Sequence, residues 1–206
     1  MIKENIANLG IPKNVKLVCV TKTRSVEEIK QAIEYGVKCI GENRIHEAKE
    51  KFPLLPEVEK HMIGNLQKNK VKSAVELFDM IQSVNSLKLA KEIDKRSAAI
   101  EKVMPILIEV NVADEESKQG ITVDNTWKVI KEVLEFQNVK IEGLMCMAPW
   151  VKAEETRPYF KKMKELFDST KLKWLSMGMT NDYKVAIEEG SNMVRVGTAI
   201  FGERKY

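Results

Sequence analysis

The residues best suited to chemistry stand far apart in the chain: one lysine near its beginning and two glycine-centred loops near its end. Lys22 closes the run Leu-Val-Cys-Val-Thr-Lys at 17–22, whose apolar residues, two of them valines, predict a strand buried on both faces. Ser25 then supplies a helix N-cap, and Glu27 and Glu28 fall in the first turn, where the helix dipole favours negative charge. Lys22 is therefore placed in a strand-to-helix loop, the edge where ligands bind in proteins of alternating strands and helices. An amine fixed there beside partly apolar walls loses its proton more easily than in water and becomes a nucleophile toward an aldehyde. A solvated lysine at a strand end is the plain alternative.

At the other end, Ser176-Met177-Gly178-Met179-Thr180 sets hydroxyls on both sides of a glycine, so backbone can approach an anion while side chains donate to it. Arg195-Val196-Gly197-Thr198 follows, leading into the short stretch 199–202. Two such loops after the last two strands of a barrel commonly share a phosphate. An amine, a phosphate cradle and an arginine are together what pyridoxal 5'-phosphate would use, with the aldehyde as an imine on Lys22, the phosphate on the two loops and Arg195 near the ring nitrogen. A cation there disfavours protonation of that nitrogen and makes the ring a weaker electron sink. A charge among Met193, Val194 and Val196 also needs a partner. Glu42 and Glu109, both near strand ends, make a structural ion pair the rival explanation of Arg195.

To position these residues the chain offers eight apolar strand-like runs, at 17–20, 37–40, 61–63, 78–81, 104–110, 141–147, 174–177 and 193–196. Helical patterns separate them. Val26, Ile29, Ala32 and Ile33 share one face ahead of Gly36, Ser86 caps a helix through Leu87, Ala90 and Ile93, and the helix at 123–136 carries Trp127, Ile130, Val133 and Leu134 as its apolar side. Glu154 to Phe167 buries Tyr159, Phe160, Met163 and Leu166. Eight strand and helix units with no internal repeat predict an α/β fold, a single (β/α)8 TIM barrel spanning 1–206 as one domain. An open doubly wound sheet is the alternative, but it expects a G-x-G-x-x-G turn near the N-terminus, and none occurs.

The 206 residues are 44% hydrophobic and 31% charged, with 34 basic residues spread among 30 acidic ones for a net charge of +4. The basic runs at Lys68, Lys70 and Lys72 and at Lys161, Lys162 and Lys164 have no interleaved aromatics and read as solvated helix faces, so no nucleic-acid partner is expected. Cys19, Cys39 and Cys146 are odd in number and far apart, as in reduced core thiols of a cytoplasmic protein. With two histidines and no metal-ligand spacing, no metal is expected; no apolar stretch reaches membrane length, and no exposed apolar feature marks an interface, so a monomer is expected.

The chain resembles the pyridoxal phosphate homeostasis protein family (the proline synthase co-transcribed type). The motifs that carry the resemblance are Val20-Thr21-Lys22-Thr23, Gly41-Glu42-Asn43, the 61–70 run beginning His-Met-Ile-Gly-Asn, the 117–120 Ser-Lys-Gln-Gly, Gly143-Leu144-Met145, the 176–180 loop and the 193–202 run containing Arg-Val-Gly-Thr-Ala-Ile-Phe-Gly. The resemblance implies a barrel like the N-terminal domain of alanine racemase, with Lys22 as the cofactor lysine. It implies phosphate contacts from Ser176, Gly178, Met179, Thr180, Gly197 and Thr198, a ring-nitrogen contact from Arg195, and ring or pocket contacts from Asn43, His61 and Met145. It further implies a carrier or buffer acting in vitamin B6 and amino-acid balance, with apo-enzymes as acceptors of the cofactor and no turnover of its own. Plain readings stand beside these: Asn43 as a cap for the helix of Ile45 and Ala48, His61 as a satisfied core residue, Met145 as barrel packing.

An amino-acid racemase working through the same imine is the enzymatic alternative. It needs a second acid or base facing the substrate carbon, for which Tyr183 and Tyr206 are the late candidates, and no further domain is expected to provide one. A phosphosugar aldolase using Lys22 is a third possibility.

Overall fold

The computed structural model describes residues 1–115 and 119–203; Ser117 and Lys118 of the 117–120 motif, and Tyr206, lie outside them. Among the described residues nine strands form in chain order: β1 (Lys16–Val20), β2 (Cys39–Glu42), β3 (Glu59–Met62), β4 (Met80–Val84), β5 (Met104–Asn111), β6 (Ile121–Thr122), β7 (Val139–Cys146), β8 (Trp174–Met179) and β9 (Met193–Val196). The α-helices are α1 (Ile2–Asn8), α2 (Val26–Glu34), α3 (Ile45–Lys51), α4 (Val71–Leu77), α5 (Leu87–Ala98), α6 (Val123–Val133), α7 (Arg157–Thr170), α8 (Tyr183–Glu188) and α9 (Thr198–Phe201).

Eight strands, all in parallel pairings, close into a barrel in the order β1-β2-β3-β4-β5-β7-β8-β9. The ring closes where β9 meets β1, with Lys16 opposite Met193 and Cys19 opposite Val196, and it is continuous across β4 and β5, where Ile81 faces Ile106. The two-residue β6 is a spur on the end of β5, pairing Ile121 with Val110. A (β/α)8 barrel is thus what the alternation of strands and helices builds, and the doubly wound alternative is excluded by closure.

Helix starts follow the residues that dictate them. At α2, the Glu28 amide donates to Ser25 Oγ at 3.2 Å while the Ser25 amide donates to Glu28 Oε2 at 2.9 Å, a reciprocal capping box. At α5, the Leu89 amide donates to Ser86 Oγ at 3.2 Å.

Several bounds differ from the sequence expectation. β2 and β4 start later than the apolar runs at 37–40 and 78–81, because those runs open with Val37 and Phe78, which pack outside the barrel, and β3 takes in Glu59 and Lys60 ahead of the run at 61–63. Phe78, for example, precedes β4 and meets Phe52 edge to face, with centroids 5.2 Å apart. On α6 the buried face is Thr126, Ile130 and Val133, whereas Trp127 and Leu134 are 40% and 64% exposed. One helical step turns by roughly 100°, so neighbours of a buried position fall at the rim of the stripe.

The sheet separates two apolar layers. The larger lies between strands and helices; the smaller fills the barrel itself with Val18, Cys39, Met80, Leu107, Met145 and Met193. Among the described residues no helix is long and apolar enough to cross a membrane.

Candidate functional site at the barrel mouth

At the C-terminal ends of β1, β8 and β9 lies a cavity of about 290 Å³. Its walls include Lys22, Met179, Thr180, Arg195, Gly197 and Thr198, six of the eleven residues that the sequence singles out. Ordinary ligand pockets measure about 300–1,000 Å³, so this one suits a single small cofactor.

Lys22 stands two residues beyond β1 between two clamps. On one side Lys51 Nζ donates to the Thr21 carbonyl at 3.1 Å, to Glu42 Oε1 at 2.9 Å and to Glu47 Oε2 at 2.7 Å. The Thr21 hydroxyl donates to Glu42 Oε1 at 2.8 Å, and the Thr23 amide donates to Glu47 Oε2 at 2.7 Å. Thr23 has φ +64°, a left-handed conformation uncommon for a non-glycine residue, and the Glu47 carboxylate holds it. On the other side Arg24 donates to the carbonyls of Phe201, Gly202 and Glu203 and lies over the Phe201 ring at 5.4 Å. The loop carrying the amine is thereby tied to the segment that follows the Gly197-Thr198 turn.

The two glycine loops meet beside it. The Gly197 amide donates to Thr180 Oγ1 at 3.4 Å, and a Cβ at Gly197 would come within 3.1 Å of Val20. Gly178 has φ +96°, and a Cβ there would press on Ala186 and Tyr183 of α8 at 2.6 and 2.9 Å. Glycine is thus required behind the 176–180 loop for its turn, while Met179 and Thr180 face the cavity. Met179 offers its amide to Asp182 Oδ1 at 2.6 Å, which fixes the loop against α8. Burial raises the Asp182 carboxyl above its usual range.

Arg195 is 4% exposed. The sequence leaves Glu42 or Glu109 as its carboxylate partner; Glu42 instead pairs with Lys51, and no carboxylate of a described residue lies within 4 Å of Arg195. Its partners are neutral oxygens: NH1 donates to Ser176 O at 3.0 Å and Ser176 Oγ at 2.6 Å, and NH2 donates to Cys146 O at 2.8 Å. Those three bonds leave guanidinium donors for the cavity, which Arg195 lines. Burial pulls its basicity below the arginine norm and raises the nearby Glu109 carboxyl.

Ser176 is therefore buried beneath the cavity as a support for Arg195 and does not line it. Met145 packs inside the barrel, level with Ser176 on the next strand. His61 is also fully buried, with Nε2 at 2.8 Å from Glu59 Oε1 and Nδ1 at 2.7 Å from Gln82 Nε2. Asn43 lines a separate cavity of about 300 Å³ with Arg44, His46, Lys49 and Lys70, and its Oδ1 is buried with no hydrogen-bond partner. It does not cap α3, whose N-cap is Arg44, with no side-chain hydrogen bond. Cys39, Glu59 and His61 come within 4.8 Å of one another although distant in sequence, and Glu59 binds His61 directly.

The three described cysteines are free and buried, and burial lifts Cys19 and Cys146 to about 12, which leaves them unreactive. Sequence reasoning passed over Arg24, Lys51, Asp182 and Gln82. Trp150, 84% exposed, stands at the rim of the cavity with Val151.

A family model described as alanine racemase, N-terminal domain, matches residues 1–205. The chain is 42% identical over 200 residues to the pyridoxal phosphate homeostasis protein of Aquifex aeolicus, covering 93% of this chain and 88% of that one. It is similar to PipY of Synechococcus elongatus in a structure with PLP bound, with a TM-score of 0.90, 32% identity, and coverage of 98% of this chain and 100% of the other. It shares its fold with the alanine racemase of Clostridium difficile at a TM-score of 0.79 and 16% identity, covering 100% of this chain and 56% of that one.

Proposed function

The chain belongs to the pyridoxal phosphate homeostasis protein family, and from that premise we propose that it binds pyridoxal 5'-phosphate at the barrel mouth as an imine on Lys22. It serves intracellular vitamin B6 and amino-acid homeostasis as a cytoplasmic carrier that hands the cofactor to apo-enzymes and turns over no substrate. One observation carries the proposal: a single cavity is walled at once by the Lys22 amine, the Arg195 guanidinium and the Thr180 and Thr198 loops.

The cofactor, when bound, supplies an aldehyde to an amine and a ring that draws electrons. The protein does the rest. The clamps of Lys51, Glu42 and Arg24 hold the loop of Lys22, and the hydroxyls of Thr180 and Thr198 with the close backbone at Gly197 suit the phosphate. Arg195, which lines the cavity with donors to spare, would face the ring nitrogen and disfavour its protonation, so the ring would be held more firmly than it is activated. That favours carriage over catalysis. The Tyr183 hydroxyl, a candidate second base for a racemase, donates to the Leu9 carbonyl at 2.9 Å and is occupied there.

The purified protein should be coloured, and borohydride should fix the cofactor on Lys22 by peptide mass mapping. Lys22→Ala should abolish the visible band and leave thermal unfolding nearly unchanged. A protein that stays colourless after reconstitution sinks the proposal, and a label on Lys51 overturns the choice of lysine. Exchange of a substrate α-proton in deuterated water faster than with free cofactor would restore the racemase.

A further inference from the structure

From a half-buried ion pair at the barrel floor, a run of hydrogen bonds leads through the buried interior to Arg195. Lys16 Nζ reaches both oxygens of Glu59 at 2.7 and 2.8 Å; Glu59 meets His61 at 2.8 Å, His61 meets Gln82 at 2.7 Å, Gln82 Oε1 accepts from Ser176 Oγ at 2.7 Å, and Ser176 Oγ accepts from Arg195 at 2.6 Å. Gln82 is fully buried and does not line the cavity. We infer that Gln82 is a positioning residue that, through Ser176, fixes the Arg195 guanidinium and with it the ring end of the bound ligand; this rests on the proposed cofactor.

The direction of the chain follows from what each group can give. A carboxylate only accepts, so the proton on the His61 ring resides on Nε2, facing Glu59. Nδ1 then presents a lone pair, and the Gln82 amide nitrogen must be the group that faces it. The same nitrogen donates to Met193 Sδ at 3.2 Å. Gln82 Oε1 is thereby turned toward Ser176 and takes its hydroxyl proton. Ser176 Oγ is left with lone pairs for Arg195, and a hydroxyl that donates is a stronger acceptor in turn. Reversing the Gln82 amide would oppose lone pair to lone pair at His61 and remove the acceptor for Ser176. An ion pair at the floor thus sets the hydroxyl that supports a charge at the mouth, and no carboxylate has to stand beside that charge.

The test compares Gln82→Met, which fills the same space without hydrogen bonds, with Gln82→Glu, which as the neutral acid favoured by burial keeps both an O–H donor for His61 Nδ1 and an acceptor for Ser176. Dissociation constants for pyridoxal 5'-phosphate are read from the visible band, alongside melting of the apo-protein. Losing one neutral hydrogen bond corresponds to about fivefold, so Gln82→Met should bind about fivefold more weakly and shift the band, and Gln82→Glu should stay within about twofold of wild type. In an Arg195→Lys background the Gln82→Met effect should vanish, since it acts through that arginine. If Gln82→Met does not fold, Ser176→Ala cuts the chain one link later and carries the same comparison.

Wild-type affinity in Gln82→Met with the weaker binding in Gln82→Glu would mean that Gln82 only fills space, and an undiminished effect beside Arg195→Lys would overturn the route. Ring nitrogen shifts of the apo-protein decide the direction without ligand. His61 should be the Nε2–H tautomer, with exposed His46 as reference; the opposite tautomer defeats the inference. A wild type that binds no cofactor fails the proposed function instead.

Discussion

At the floor of the barrel Lys16 and Glu59 meet at 2.7 Å, and His61 and Lys16 together, working against burial, hold the Glu59 carboxyl down at about 2. At the mouth Arg195 is buried among neutral oxygens, and Glu109 and Asp182 are pushed upward by burial. The floor thus pairs its charge with an opposite one, whereas Arg195 at the mouth has no carboxylate of a described residue within 4 Å. A buried charge without a counter-charge is costly, so the mouth is held in that condition by the rest of the fold and gains most when a ligand arrives. On the proposed function, the floor contributes to stability and the mouth is kept for binding.

The largest effect should come from Gly178→Ala, which forces a left-handed residue against α8. Strain and overlap together should destabilise the protein by about 3 kcal/mol and abolish binding of the phosphate, measured by chemical unfolding and by the visible band. Arg195→Met separates the two regions most directly. Binding should weaken at least about tenfold while apo-protein stability stays level or rises by about 1 kcal/mol, because an unpaired buried charge is gone. A large stability loss there would erase the contrast.

At the floor the expected outcome is reversed. Glu59→Gln still accepts from His61 but loses the ion pair, so stability should fall by about 1 kcal/mol with affinity within about twofold. The pH dependence sharpens the same contrast. Glu59 has a folded pKa below its unfolded value of about 4.3, so its contribution is present above that pH and disappears as pH falls toward about 2. Glu109 and Asp182 have folded values above their unfolded ones, so their contribution is present at low pH and disappears as pH rises through the raised values. Melting temperature against pH in wild type and Glu59→Gln should show that only the acid limb moves. The smallest effect should be Trp150→Ala, within about 0.5 kcal/mol in the apo-protein, since its ring is in water.

The barrel was legible because alternation of apolar runs and amphipathic stretches is a local property, and Lys22 and the two glycine loops announce themselves by residue type. The supports of those residues were not. Arg24 holds carbonyls near residue 202, and Gln82 reaches Ser176 across 94 positions, pairings that no local pattern encodes. For Arg195 the sequence offered a carboxylate as the rival to a cofactor contact, whereas its protein partners are mostly backbone carbonyls, which every residue carries and none advertises. Trp127 and Leu134 were misplaced for a different reason: periodicity finds the centre of a helix face and leaves its margin undecided.

The three tryptophans happen to be distributed by region. Trp150 projects at the cavity rim, Trp174 lies between Lys16 and Lys173 with ammonium groups 4.9 and 4.8 Å from its ring, and Trp127 rides on the outer helix α6. Each indole is therefore an emitter with its own address. Light absorbed by the rim indole should drain into a yellow guest beside it, so a steady-state fluorimeter could follow loading and unloading in real time, with Trp127 as a bystander that keeps the count honest.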